Sequence, residues 1–487
     1  MIKLFIFVFI LSIWHSFLFY GKDLGLSVIL FILPLLGITF YVLKKWDKIE
    51  RIYGLFFIIP IILLSCCYFI YDNYFFKMLN VIVIPFLFLL MYIITIRPSF
   101  KVFNLVKDCF ALLLAGPLGC VFDVIEIVLE SLFSFIKLSK NSKKRIKSFL
   151  LILPVVIVIL WLLISADMVF DSMIGDFFRG IYGTLEYYFS GNLFGRVILI
   201  VIIFLYISST FYFIVLDYLD FVPDARIDEI NDSSKIVRKF KLDIDTIQML
   251  FVVLSIIYVI FDFIQIKSLM FHSVSSNINY AEYARQGFFQ LMFVSVINLG
   301  LILFSKKYYN CENKDKVRFL KVVSLLMIVL TFVIILSSFL RMNLYESQYG
   351  YTLLRLLVYI TLITEIILLV PTSLYIIKNN YNILKAYMVI LISVYVIINF
   401  INVDKVIAIR NIKRYYDKKD IDIEYLENYS SDNLGELVNF YKKVDDEEVK
   451  DSLENYFKEL NLFISCDGIQ EFNISRYKGE ELLKKYK

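Results

Sequence analysis

The feature that most constrains this chain is a succession of apolar runs, each about twenty residues long. At 1.5 Å rise per residue, a helix of that length crosses the roughly 30 Å of hydrocarbon in a bilayer. Such runs occur near residues 2–20, 24–43, 52–71 and 79–96, and again near 149–170, 194–216, 245–266, 286–305, 319–340, 352–376 and 383–402. They give about eleven expected spans. The composition agrees: 60% of residues are hydrophobic, 17% are aromatic and the mean hydropathy is +0.74. The expected fold class is therefore all-α, a polytopic α-helical transmembrane protein with a small C-terminal helical extramembrane domain. The opening Met1-Ile2-Lys3 and the apolar residues after it lack a small-residue cleavage site over 15–20, so they are read as a retained first span.

Lysine and arginine in the short connections set the expected orientation. Lys44, Lys45, Lys48 and Arg51 mark one connection, and a group from Lys137 to Lys147 marks the next but one. The alternation continues through Arg226, Lys235, Arg238, Lys239 and Lys241 to Lys306, Lys307, Lys314, Lys316 and Arg318, while the intervening connections carry few cations. This pattern predicts a multi-pass cell-membrane protein with a cytoplasmic N-terminus and an extracytoplasmic C-terminus.

Four segments follow from the pattern. Residues 1–100 form an N-terminal four-span group. Residues 101–148 carry a basic loop and two helices expected to lie on the cytoplasmic face, because Asp123, Glu126, Glu130, Ser134 and Lys137 recur every three or four positions on an otherwise apolar surface. Gly116-Pro117 is read as a break between them, with a re-entrant hairpin or bundle packing as the alternative. Residues 149–402 form a seven-span core, and 403–487, rich in charge, form a soluble helical domain.

Several classes of chemistry find no support. The two histidines, His15 and His272, are far apart and lack metal-ligand spacing, and the six cysteines form no CxxC or disulfide framework. No metal, cofactor or catalytic residue is expected. The net charge of +5 is small and sits in the connections, which argues for topogenic loops and anionic-lipid contacts and against nucleic acid.

Polar residues gather at the expected outer ends of the core spans. Asp167 and Asp171 close one span, Arg196 opens the next, Asp262 and Gln265 close another, and Arg355 opens a later one. Between them, residues 279–289 read Asn-Tyr-Ala-Glu-Tyr-Ala-Arg-Gln-Gly-Phe-Phe, and helical spacing there makes neighbours of Glu282 with Arg285 and of Tyr280 with Tyr283. Opposite charges held at one depth can pair and so lower the penalty of sitting near lipid. These residues define a candidate outward-facing polar vestibule. The plainer reading, that Glu282 and Arg285 anchor a helix end within an aromatic belt, stays open. Glu365 stands apart, roughly 20 Å into its helix at 1.5 Å per residue. A neutral, hydrogen-bonded structural carboxyl and a transport role both suit it.

Three functions are compatible with these features. The first is non-enzymatic binding or transport of a small molecule or lipid through the vestibule. The second is a membrane-embedded transferase or hydrolase acting on a lipid-linked substrate, with Asp167, Asp171 and Glu282 as acid/base carboxylates. The third is a scaffold or sensor whose C-terminal domain binds a protein partner.

The string at residues 280–289 resembles the signature of a bacterial membrane-protein family, domain of unknown function 4173, related to family 4153. Ser165-Ala166-Asp167, Tyr351-Thr352 with Arg355-Leu356, and the series Asn402, Asp404, Ala408, Asn411, Asp422, Tyr425-Leu426 and Ser431-Asp432 also resemble that family's pattern. The similarity spans roughly residues 149–432. It implies a mostly helical membrane protein and carries no activity with it.

Overall fold

The computed structural model describes residues 1–96, 108–132, 191–216, 244–270, 288–309, 313–378, 381–419, 421–427, 430–463 and 468–485. Among these residues the chain is helical and contains no strand. Eleven of the helices are long and apolar enough to cross a membrane. All but one coincide with runs anticipated from the sequence. The expected span at 149–170 lies outside the described residues.

The exception is the stretch 108–131, whose polar stripe suggested a helix lying flat. It forms one continuous helix of crossing length and hydropathy. Gly116-Pro117 does not break it. Instead a π-helical turn over Ala111–Ala115, closed by the Gly116 amide donating to the Ala111 carbonyl, leads directly into the helix Gly116–Leu132, and Pro117 stands in the first turn of that helix, where a missing amide proton costs least.

The chain divides into two compact units, Met1–Ile70, Phe75–Pro223 and Cys466–Ile474 in the first, and Tyr71–Tyr74, Asp224–Ser465 and Ser475–Lys487 in the second. The first unit holds α1 (Ile2–Phe19), α2 (Leu26–Lys45), α3 (Ile58–Ile70), α4 (Tyr74–Ile96), α5 (Gly116–Leu132) and α6 (Gly191–Val215). Helix α1 packs on α2 and α6, and α5 packs on α6. Here α5 and α6 approach so closely that a Cβ on Gly116 would stand 2.6 Å from the Phe213 ring. Thr39 and Tyr92 share a buried 2.7 Å hydrogen bond between α2 and α4.

In the second unit, α7 (Ile244–Met270), α8 (Phe288–Tyr308), α9 (Lys314–Tyr349), α10 (Leu353–Ile377) and α11 (Ile383–Phe400) form the apolar part. Helix α9 is the hub, packing on α7, α8 and α10. It has 36 residues, which makes it about 54 Å long and longer than the hydrocarbon is thick. Its ends are set locally. Asn313 caps the start by accepting from the Asp315 and Lys316 amides, and Gly350 ends it at φ +81°, a left-handed conformation that glycine adopts freely. The bundle core includes Phe251, Leu299, Ile302, Met327, Ile335 and Leu362.

Beyond α11 the chain continues into α12 (Val403–Lys418), α13 (Ile423–Glu427), α14 (Leu434–Tyr441), α15 (Glu447–Phe463) and α16 (Ile474–Lys484). Their apolar faces meet at Ile407, Leu434, Leu437 and Leu453, all buried. This is a small helical core of the kind the change in composition after residue 402 anticipates.

Candidate functional site

The bundle α7 to α10 turns polar side chains inward and apolar ones outward. Asp262 is 5% exposed while its neighbour Phe263 is 70% exposed. That polarity suits a helix bathed in lipid, where a charge facing outward would be far more costly than one facing the bundle.

Inside, the polar groups form a seam. Midway along α8, Asn298 accepts at Oδ1 from the Tyr258 hydroxyl at 2.8 Å and donates from Nδ2 to Thr331 Oγ1 at 3.0 Å, which ties α7, α8 and α9 together. One turn towards the start of α8, Ser295 Oγ lies 2.5 Å from Glu365 Oε2 on α10 and 2.7 Å from the Met292 carbonyl oxygen. A serine hydroxyl has one proton to donate. Both contacts are satisfied together when the Glu365 carboxyl carries a proton and donates to Ser295, which in turn donates to Met292. Further along α7, Gln265 Oε1 accepts from Arg341 Nη2 at 2.7 Å, with Arg341 Nε and Ser337 Oγ each at 3.3 Å.

Within this seam, Asp262 and Glu365 are incompletely satisfied. Neither carboxylate oxygen of Asp262, nor Oε1 of Glu365, has a hydrogen-bond partner among the described residues, and Glu365 is only 3% exposed. Buried polar groups normally find partners, because leaving one without costs about 1–3 kcal/mol.

The residues expected to line a vestibule separate into groups. Asp262 belongs to the seam, alongside Glu365, which the sequence had set apart from the vestibule as a buried charge. Arg355 instead closes the α9–α10 turn, since its Nη1 donates to the Tyr349 and Gly350 carbonyls at 2.9 and 2.5 Å and its guanidinium stacks 4.5 Å from the Tyr345 ring. Arg196, in the first unit, lies 5.4 Å from the Tyr20 ring. Asp167, Asp171, Tyr280, Glu282, Tyr283 and Arg285 lie outside the described residues; the last four fall in the connection between the end of α7 and the start of α8.

A second polar cluster in the same unit escaped the sequence reading. Arg476 Nε donates to Asp72 Oδ1 at 2.8 Å, the Asp72 amide donates to both Asp432 oxygens at 2.9 and 3.0 Å, and Asn73 donates to Asp404 Oδ1 at 2.7 Å. Ser430 donates to Asp404 as well. Desolvation pushes the Asp404 carboxyl above its ordinary value. It raises Asp432 to about 6, helped by the negative charges of Asp404 and Asp72 and opposed by hydrogen bonds from Ser475 and the Asp72 amide. Asp404 and Ser431-Asp432 were notable in the sequence for family resemblance alone, and nothing there linked them to Asp72 or Arg476. Among the described residues no group of three or more histidine, cysteine or carboxylate side chains is arranged to hold a metal ion.

An all-helical chain with this many apolar helices of crossing length and charge turned inward defines an integral membrane protein. The chain belongs to the family described as Domain of unknown function (DUF4153), which it matches over residues 58–440. The family assignment is thus to 4153, and the nearer likeness to 4173 expected from residues 280–289 is not confirmed. No match was found among curated proteins or among solved structures.

Proposed function

We propose that the α7 to α10 bundle binds or transports a small molecule or lipid, admitted through an outward-facing polar vestibule. One observation carries this reading: two carboxyl side chains, Asp262 and Glu365, are buried in a lipid-facing bundle with oxygens that lack partners among the described residues. An ionisable group inside a membrane bundle is costly to retain and usually serves a function. Ser295, in contact with Glu365, and the Tyr258–Asn298–Thr331 network supply neutral hydrogen-bonding groups in the same bundle.

The test is a thermal-shift panel of lipids and small metabolites on the detergent-purified protein and on D262N and E365Q. A compound that stabilises the parent chain and neither variant, when all three melt alike without it, supports the reading. Equal stabilisation of all three rules the seam out.

The same reading includes orientation. An impermeant thiol reagent on intact cells should label Cys466 and spare Cys311. The reverse pattern would put the vestibule on the cytoplasmic side and remove the outward-facing part of the proposal.

A further inference from the structure

The opposite end of the same helices carries a polar feature that the seam does not use. Helices α8, α9 and α10 leave a shallow, half-open cleft lined by Ser305, Lys306, Tyr309, Lys321 and Ser324 over an apolar floor that includes Leu320. Two lysines enter it and no carboxylate lines it. Asp245, the acid in the first turn of α7, is already bound by Lys316 at 2.5 Å.

The chemistry of the lining favours an anion. Lys306 donates from Nζ to the Tyr375 carbonyl and, at 2.9 Å, to that of Lys378, and sits 4.2 Å from the Tyr375 ring. An ammonium has three protons to donate, so this one is fixed in place by the end of α10 and keeps one donor free. Lys321 makes no hydrogen bond or ion pair among the described residues. The serines give their protons to helix carbonyls, Ser305 to Ile302 and Ser324 to Leu320, and so offer only acceptors. Charge recognition therefore falls to the two lysines, with Tyr309 the other donor-bearing side chain in the lining.

Position narrows the class of anion. The cleft lies where the apolar stretches end, α8 at Lys306 and Lys307 and α10 just before Lys378. Beside it, Phe304, Phe319 and Val322 are exposed and offer apolar surface to acyl chains. Basic pockets between transmembrane helices are a recurrent way of holding acidic headgroups.

We propose that this cleft binds the phosphate of an anionic phospholipid headgroup, held by Lys306 and Lys321. The site is distinct from the seam and stands or falls independently of any substrate there.

Native mass spectrometry of the full chain in a neutral detergent, titrated with phosphatidylglycerol or phosphatidylcholine, tests it. Phosphatidylglycerol should be retained in preference to phosphatidylcholine. K321Q should weaken that retention about fivefold, which corresponds to about 1 kcal/mol for one lysine near a lipid surface. K314Q, at the same helix end but outside the cleft, should leave it unchanged. K321Q breaks no hydrogen bond or ion pair among the described residues, so its folding serves as a control by size-exclusion profile, and a misfolded K321Q is replaced by K321R, which should retain the lipid. Equal retention of the two lipids, or equal loss in K321Q and K314Q, overturns the proposal. Displacement of the bound lipid by millimolar inorganic phosphate overturns the lipid assignment in favour of free phosphate.

Discussion

Arg476 and Asp72 are joined by a 2.8 Å hydrogen bond from Nε to Oδ1 across 404 positions of sequence. Asp72 belongs to the short turn between α3 and α4, and Arg476 to α16, near the end of the chain. Around this pair, Asp432 and Asp404 bring two further carboxylates close.

Burial of Asp432, reinforced by the neighbouring negative charges, makes this cluster sensitive to pH. The Asp432 carboxyl rises from its ordinary value of 3.8 to about 6 when folded. A group whose folded value is raised binds more protons folded than unfolded between those two values, so stability falls as pH rises through that window and is flat above it. We predict a higher melting temperature near pH 5 than near pH 7, with Asp404 acting in the same direction. D432N should shrink the difference, and an undiminished difference in D432N would assign the effect elsewhere.

The short Ser295 to Glu365 contact yields a second prediction. E365Q can still donate its side-chain proton to Ser295 and should melt within about 1 kcal/mol of the parent chain. S295A removes the only partner of a buried carboxyl among the described residues and should cost about 1–3 kcal/mol. If E365Q proved the more damaging in denaturant melts, the carboxyl would have to be ionised in the folded protein.

Two glycines on one helix should behave in opposite ways. A Cβ on Gly116 meets Phe213 and the Ala111 carbonyl at 2.6 and 2.8 Å, whereas one on Gly119 meets nothing within 4 Å. G116A should destabilise by about 1–3 kcal/mol through overpacking. G119A should be neutral or stabilising by up to about 1 kcal/mol, because alanine favours helix. Thermal melts of the two proteins side by side are enough to decide.

Arg355 closes a turn, so its loss should register in stability and not in ligand response. R355A frees the Tyr349 and Gly350 carbonyls and should cost about 1–3 kcal/mol. R355K keeps the charge, loses the planar stacking on Tyr345 and should fall between. A compound that stabilises the parent chain should shift R355A by the same increment. Loss of that increment in R355A with normal unliganded melting would return Arg355 to the binding site.

Much of the fold was legible because hydrocarbon thickness imposes a length on every crossing helix, and apolar runs of that length are plain in the sequence. Glu365 is likewise buried as its distance from the start of its helix suggests. Residues 108–132 were harder: a polar stripe every three or four positions marks a surface-lying helix and a helix packed in a bundle alike, and Gly116-Pro117 looks like a break until a π-turn absorbs it. Helix α9 outruns the apolar run that announced it because Asn313 and Gly350, not hydropathy, set its limits. The pairing of Asp72 with Arg476 depends on contacts between distant segments, which periodicity cannot reveal. Arg355 looked like a vestibule charge because a cation at a span end reads the same whether it faces a ligand or the carbonyls of the preceding helix.

Helix α9 supplies Lys321 and Ser324 to the basic cleft and Thr331, Ser337 and Arg341 to the seam. Both regions are thus mounted on one shaft. A turn or slide of α9, even by a fraction of its roughly 5.4 Å pitch, would re-register Lys321 at one end and Thr331, Ser337 and Arg341 at the other in a single movement.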